Sequence, residues 1–277
     1  MVSSTPGSAR PAFVTADDDV RLDYTEHGDP AGRPVVLLAG FKAPATSWVH
    51  QVPALAGAGY RVLAVDLRGH GTSERPSSGA DMARRGRDVR DLLEALDLRD
   101  AVLVGGSMGG NTVWSYVAQF GTARVGAIVI VDQTPKMLNT PDWPHGFYGY
   151  TASNIDSYFA ERIPETGHGT PMARKGVRLV RLLLAMKGMD REMTRGELAL
   201  LNDHAKADWR DAIRATEVPV LFVAGDESEY WPASHAGASA ALAPRGASVV
   251  LEKDGHPANM EQPKAFNAAM LGWLAEV

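Results

Sequence analysis

The stretch Val102-Leu103-Val104-Gly105-Gly106-Ser107-Met108-Gly109-Gly110 is an apolar run that enters a glycine-bounded turn. Its apolar run is strand-like and the pattern from Thr112 to Phe120 is helical, so Ser107 stands at the apex of a turn between the two. Glycines two residues before and two after it give G-x-S-x-G. A strand that turns straight into a helix crowds its own backbone at those flanking positions and strains the apex residue, which is why the flanks want no side chain. The hydroxyl is left protruding at the strand's end, beside the first N–H groups of the helix. A glycine-serine connector without chemistry satisfies the same pattern, so the rest of the chain has to decide.

Working outward, buried-strand runs recur at Val35–Ala39, Arg61–Val65, Gly126–Val131, Val218–Ala224 and Ser248–Leu251. Helical patterns separate them, around Trp48–Ala58, Asp81–Leu98 and Ala233–Leu242. Such alternation requires parallel pairing through right-handed crossovers. The expectation is an α/β protein with a doubly wound, mostly parallel eight-stranded sheet and a ligand site at the strands' C-terminal ends. Ala12–Thr15 and Val20–Glu26, around Asp17-Asp18-Asp19, predict an antiparallel hairpin that opens the sheet. In the helix over 81–98, Val89, Leu92, Leu93 and Leu96 share the inner face, which leaves Arg84, Arg85, Arg87 and Arg90 largely on a solvated one.

Between Gln133 and Glu217 the alternation stops. A loop with Trp143, Phe147, Tyr148 and Tyr150 leads into helical patterns near 154–161, 172–187 and 191–209. In the second, Leu179, Leu182, Leu183 and Met186 form a stripe opposite Arg174, Arg178 and Arg181. This predicts a helical cap over 133–216, stripe against the body, on a core domain formed by 11–132 and 217–277. The polar first ten residues, rich in Ser, Pro and Gly, are expected to be a flexible tail.

At 277 residues the chain is long enough for one large domain with an insertion. The absence of cysteine excludes disulfides, a thiol nucleophile and thiolate metal sites, and agrees with a reducing, cytoplasmic setting. A net charge of −5, spread along the chain, gives no footprint for nucleic acid or an anionic membrane. The apolar runs are strand-sized and the N-terminus lacks a secretory pattern. No histidine pair has metal-ligand spacing, so no metal is expected.

The elbow at Ser107, the run Asp66-Leu67-Arg68-Gly69-His70-Gly71-Thr72-Ser73, Gly255-His256 followed by Glu261-Gln262-Pro263, and a helical insertion after the sixth strand together resemble the α/β-hydrolase family from about Pro11 onward. The resemblance implies Ser107 as nucleophile, His256 as base, and the backbone N–H groups of Phe41 and Met108 as an oxyanion hole. A hydroxyl is a poor nucleophile at neutral pH, and imidazole is suited to take its proton. His27, His50, His168, His204 and His235 sit in no chemical motif, and His70 belongs to its glycine loop.

In many relatives the triad acid closes a Gly-Asp-x-Asp loop after the seventh strand. Here Gly225-Asp226-Glu227-Ser228 puts a serine at that place. Other members carry the acid after the sixth strand, where Asp132 stands, so Asp132 is the first choice; chain order leaves Asp226 and Glu229 open. Trp143, Phe147, Tyr148, Tyr230 and Trp231 are expected to line an apolar pocket. The implied activity is cofactor-free serine hydrolysis of a small-molecule ester or lactone. Carbon–carbon bond hydrolysis and perhydrolase or haloperoxidase-like chemistry are the alternatives within the family, and a non-catalytic ligand-binding protein is the alternative from another class.

Overall fold

The strands of the computed structural model, which describes residues 10–77, 79, 81–187 and 192–277, are β1 (Arg10–Thr15), β2 (Arg21–Gly28), β3 (Pro34–Leu38), β4 (Arg61–Val65), β5 (Ala101–Gly106), β6 (Val125–Val131), β7 (Val220–Gly225) and β8 (Gly246–Leu251). They form one eight-stranded sheet in the order β1-β2-β4-β3-β5-β6-β7-β8. The opening hairpin β1–β2 and the β2–β4 pair are antiparallel. All other pairs are parallel. Alternate residues of the central strands enter two different cores: Val36, Leu38, Leu103, Ile128 and Phe222 on one face, Val35, Leu37, Val102, Val104 and Val129 on the other. That two-sided burial is why these runs are apolar without interruption.

The helices are α1 (Gln51–Gly57), α2 (Met82–Ala95), α3 (Met108–Phe120), α4 (Val177–Ala185), α5 (Arg195–Lys206), α6 (Arg210–Arg214), α7 (Ser234–Ala240), α8 (Ala258–Glu261) and α9 (Pro263–Leu274). α2, α3 and α7 cover the first face through Val89, Leu92, Val113, Trp114 and Ala236. α1 and α9 cover the second through Leu55, Phe266 and Met270. Among the described residues no helix is long and apolar enough to cross a membrane.

Several expectations are corrected. Arg10 already belongs to β1, and the rest of the expected tail, 1–9, lies outside the described residues. The helix expected over 154–161 is a short 3-10 turn at Ala152–Asn154 followed by turns. Here Tyr158 and Phe159 pack edge-on against Phe147, and that ring cluster overrides helical spacing. The helix expected over 172–187 is confined to α4, because Gly176 in front of it has φ +55°.

Arg84 and Arg85 are not solvated: they are 5 % and 1 % exposed. Arg84 bonds to Asp17, Asp88 and Asp91, and Arg85 Nη2 lies 2.9 Å from His70 Nε2. The acidic hairpin turn and the glycine loop fold onto α2 and supply Asp17 and His70, while Asp88 and Asp91 come from α2 itself. On α4 the faces are partly reversed: Arg178 and Arg181 turn inward to Glu227 and the Glu261 carbonyl, while Leu183 is 55 % exposed.

Candidate active site

β5 delivers Ser107 at the sheet's C-terminal edge with φ 50° and ψ −130°. A Cβ on Gly105 would lie 2.5 Å from the Gly109 carbonyl oxygen, and one on Gly109 would lie 2.2 Å from that of Leu38. Both flanks of the elbow are therefore closed to side chains.

The loop after β8 carries His256 so that its Nε2 is 2.9 Å from Ser107 Oγ and its Nδ1 is 2.8 Å from Asp132 Oδ2. Asp132 directly follows β6, with φ 43°, and is fully buried. Its Oδ2 also accepts from Ser228 Oγ at 2.6 Å, while Oδ1 faces the Gly225 N–H at 3.2 Å and His235 Nε2 at 3.3 Å. Burial on its own would raise this carboxyl, but the hydrogen bonds from His235 and His256 outweigh it and pull the pKa down to about 2. An ionised Asp132 keeps a proton on Nδ1 and leaves Nε2 free to accept from the Ser107 hydroxyl.

The two other acids left open by the sequence lie elsewhere. Asp226 accepts the Asp254 N–H at 3.1 Å. Glu229 accepts the backbone N–H of His256 at 2.8 Å and pairs with Lys175 at 2.6 Å. Sequence reasoning missed the contact of His235 with Asp132, because His235 sits in no chemical motif. Ser228 carries a signal for Asp132 alone: a hydroxyl at the place the acid often holds donates to the carboxylate that replaces it.

The Gly40-Phe41 turn packs on the nucleophile, since a Cβ on Gly40 would lie 3.0 Å from Ser107 Cβ. The next residue, Lys42, has φ +60° and donates its N–H to His70 Nε2 at 3.2 Å. Met108 begins α3, so its N–H has no intrahelical acceptor. The segments that carry the two expected oxyanion donors, Phe41 and Met108, thus lie beside Ser107.

Ser107 and His256 open into a cavity of about 880 Å³, whose apolar lining includes Phe41, Trp48, Ile163, Leu182 and Met186. Of the five aromatic residues expected there, Tyr230 alone lines it. Trp143 is buried with its indole N–H on Thr134 Oγ1. Phe147 stacks on Tyr230 within a ring cluster, Tyr148 stacks on His168, and Trp231 stands edge-on to His256 at 5.2 Å. These rings are consumed in holding the loop together and in bracing the imidazole. Among the described residues no group of three or more His, Asp or Glu side chains could hold a metal.

A family model described as alpha/beta hydrolase fold matches residues 33–263. The chain belongs to this family. Among curated relatives it is 31 % identical over 280 residues to a "Non-heme chloroperoxidase" of Streptomyces lividans, covering 94 % of this chain and 98 % of the relative. It is 26 % identical over 277 residues to the "Bifunctional esterase/perhydrolase DCH" of Acinetobacter calcoaceticus, with 95 % and 99 % covered. Among solved structures, a bromoperoxidase from Bacillus anthracis superposes with a TM-score of 0.79 at 28 % identity, covering 96 % of this chain and all of that one. In this alpha/beta hydrolase the carboxylate that meets His256 Nδ1 is Asp132, directly after β6.

Proposed function

We propose that this alpha/beta hydrolase cleaves a carboxylic ester or lactone of a small to medium apolar substrate through an acyl-enzyme at Ser107. The observation that carries the reading is the unbroken hydrogen-bonded path from Asp132 through His256 to Ser107, opening into a largely apolar cavity. As Ser107 Oγ attacks the acyl carbon, His256 Nε2 takes its proton, and Asp132 stabilises the resulting imidazolium. The oxyanion accepts from the N–H groups of Phe41 and Met108. His256 returns the proton to the leaving oxygen. Water, deprotonated by the same nitrogen, then releases the acid and frees Ser107.

A second reading of the same site is perhydrolysis, favoured by the peroxidase and perhydrolase names among its relatives. The acyl-enzyme is unchanged, and hydrogen peroxide in place of water gives a peracid. A fluorophosphonate probe tests the shared step: the wild type should label and Ser107→Ala should not. A folded wild type that refuses the probe contradicts the proposal. Comparing acid with peracid release from p-nitrophenyl acetate, with and without peroxide, separates the two readings.

A further inference from the structure

Asp132 receives more donors than a base-orienting acid needs. A carboxylate offers about four lone-pair directions, and here all four are occupied: Oδ2 by Ser228 and His256, Oδ1 by the Gly225 N–H and His235. His235 comes from α7, is fully buried, and shares Trp231 with His256, the indole standing edge-on to both rings. Its Nδ1 has no hydrogen-bond partner among the described residues. A doubly protonated ring would leave an N–H donor stranded away from water, so the neutral ring with its proton on Nε2 fits the site at lower cost.

We propose that His235 is a positioning residue for the triad, holding Asp132 Oδ1 so that Oδ2 faces His256 and limiting how tightly the carboxylate draws a proton onto that base. The proposal rests on the serine-hydrolase reading of the same site. Other titratable groups facing the triad are His145, 2.9 Å from Ser234 Oγ, Tyr230, with its ring 4.5 Å from that of His256, and His204, Tyr148, Asp254 and Glu229; none of them hydrogen-bonds to Asp132 among the described residues. Without the Nε2–H donor, Oδ1 keeps more of its charge and the carboxylate holds the His256 proton harder. The base then becomes available only at higher pH.

The test compares His235→Gln, whose amide N–H reaches about as far as Nε2, with His235→Asn, which stops one bond short. Two readouts are taken against pH: the rate of fluorophosphonate labelling and the NMR titration of the His256 ring. In His235→Asn the acid limb and the His256 midpoint should both rise by about half a pH unit, about a threefold loss of rate below the limb, while His235→Gln stays near the wild type. An unmoved midpoint in His235→Asn, or equal shifts in both variants, overturns the proposal. A loss of thermal stability without a shift does so too. If the wild type does not label, the serine-hydrolase reading fails, whereas the His256 titration needs no turnover and still decides the role of His235. Should the asparagine variant not fold, nitrogen–proton NMR of the wild type decides alone: a proton on His235 Nε2 is required, and a proton on Nδ1 in its place overturns the claim.

Discussion

Three non-glycine residues with positive φ surround the reaction centre: Lys42 at 60°, Ser107 at 50° and Asp132 at 43°. Such conformations cost of order 1–3 kcal/mol each and persist where the surroundings over-determine them, as the β5 elbow and the sheet edge do here. Asp132→Asn should reverse the tautomer His256 needs and lower kcat by about 10³–10⁴-fold with the fold intact. Asp226→Asn should stay within about tenfold, since Asp226 orders only a backbone turn. Steady-state kinetics on one activated ester checks both. Ser107 and His256 were legible because strand-to-helix geometry and the glycine before the histidine leave marks in the local sequence. Asp132 was legible only as one of three acids, for the partner that selects it lies 124 residues away. The misassigned pocket rings have a physical reason: an aromatic side chain in a loop reports burial, and only contacts distant in sequence say whether it faces a cavity or another ring.

At the scale of elements, the strands were readable because two-sided burial permits only apolar residues, whereas the inward face of α4, between β6 and β7, was not. A helix with an apolar and a basic side declares two faces, and the body it meets chooses between them. Beneath α4 and the turn before it lie Glu227, Glu229 and Glu261, so the cations go inward: Lys175 pairs with Glu229 and Glu261, and Arg178 with Glu227. Met172, Val177, Val180 and Leu184 are left half-exposed or more. Glu261 is fully buried. Lys175→Leu should therefore strand it and cost about 2–4 kcal/mol, Arg178 at 3.4 Å offsetting part of the loss. In Lys175→Leu with Glu261→Leu the cost should fall well short of the two single costs combined. Denaturant unfolding of the four proteins measures this, and strictly additive values would contradict it.

At the scale of the molecule, the loop that carries His256 also contains a charge-suppressed acid. Burial first, then the negative charges of Glu261 and Asp132, push Asp254 up to about 9 from an ordinary 3.8, and neither of its oxygens has a hydrogen-bond partner among the described residues. The folded protein keeps this proton where the unfolded chain has lost it, so stability falls as pH rises between about 4 and 9. Asp254→Asn should unfold at a higher temperature than the wild type at pH 8, with the difference closing towards pH 4; a gap independent of pH would contradict the assignment. The larger claim is that the sheet unites a serine and a histidine 149 residues apart for acyl transfer. Rapid quenching of the protein with p-nitrophenyl butyrate, followed by peptide mass mapping, tests it most directly. A burst of nitrophenol with a butyryl group on Ser107 is expected, and neither in Ser107→Ala. Turnover without that adduct, or undiminished in the alanine variant, would contradict it.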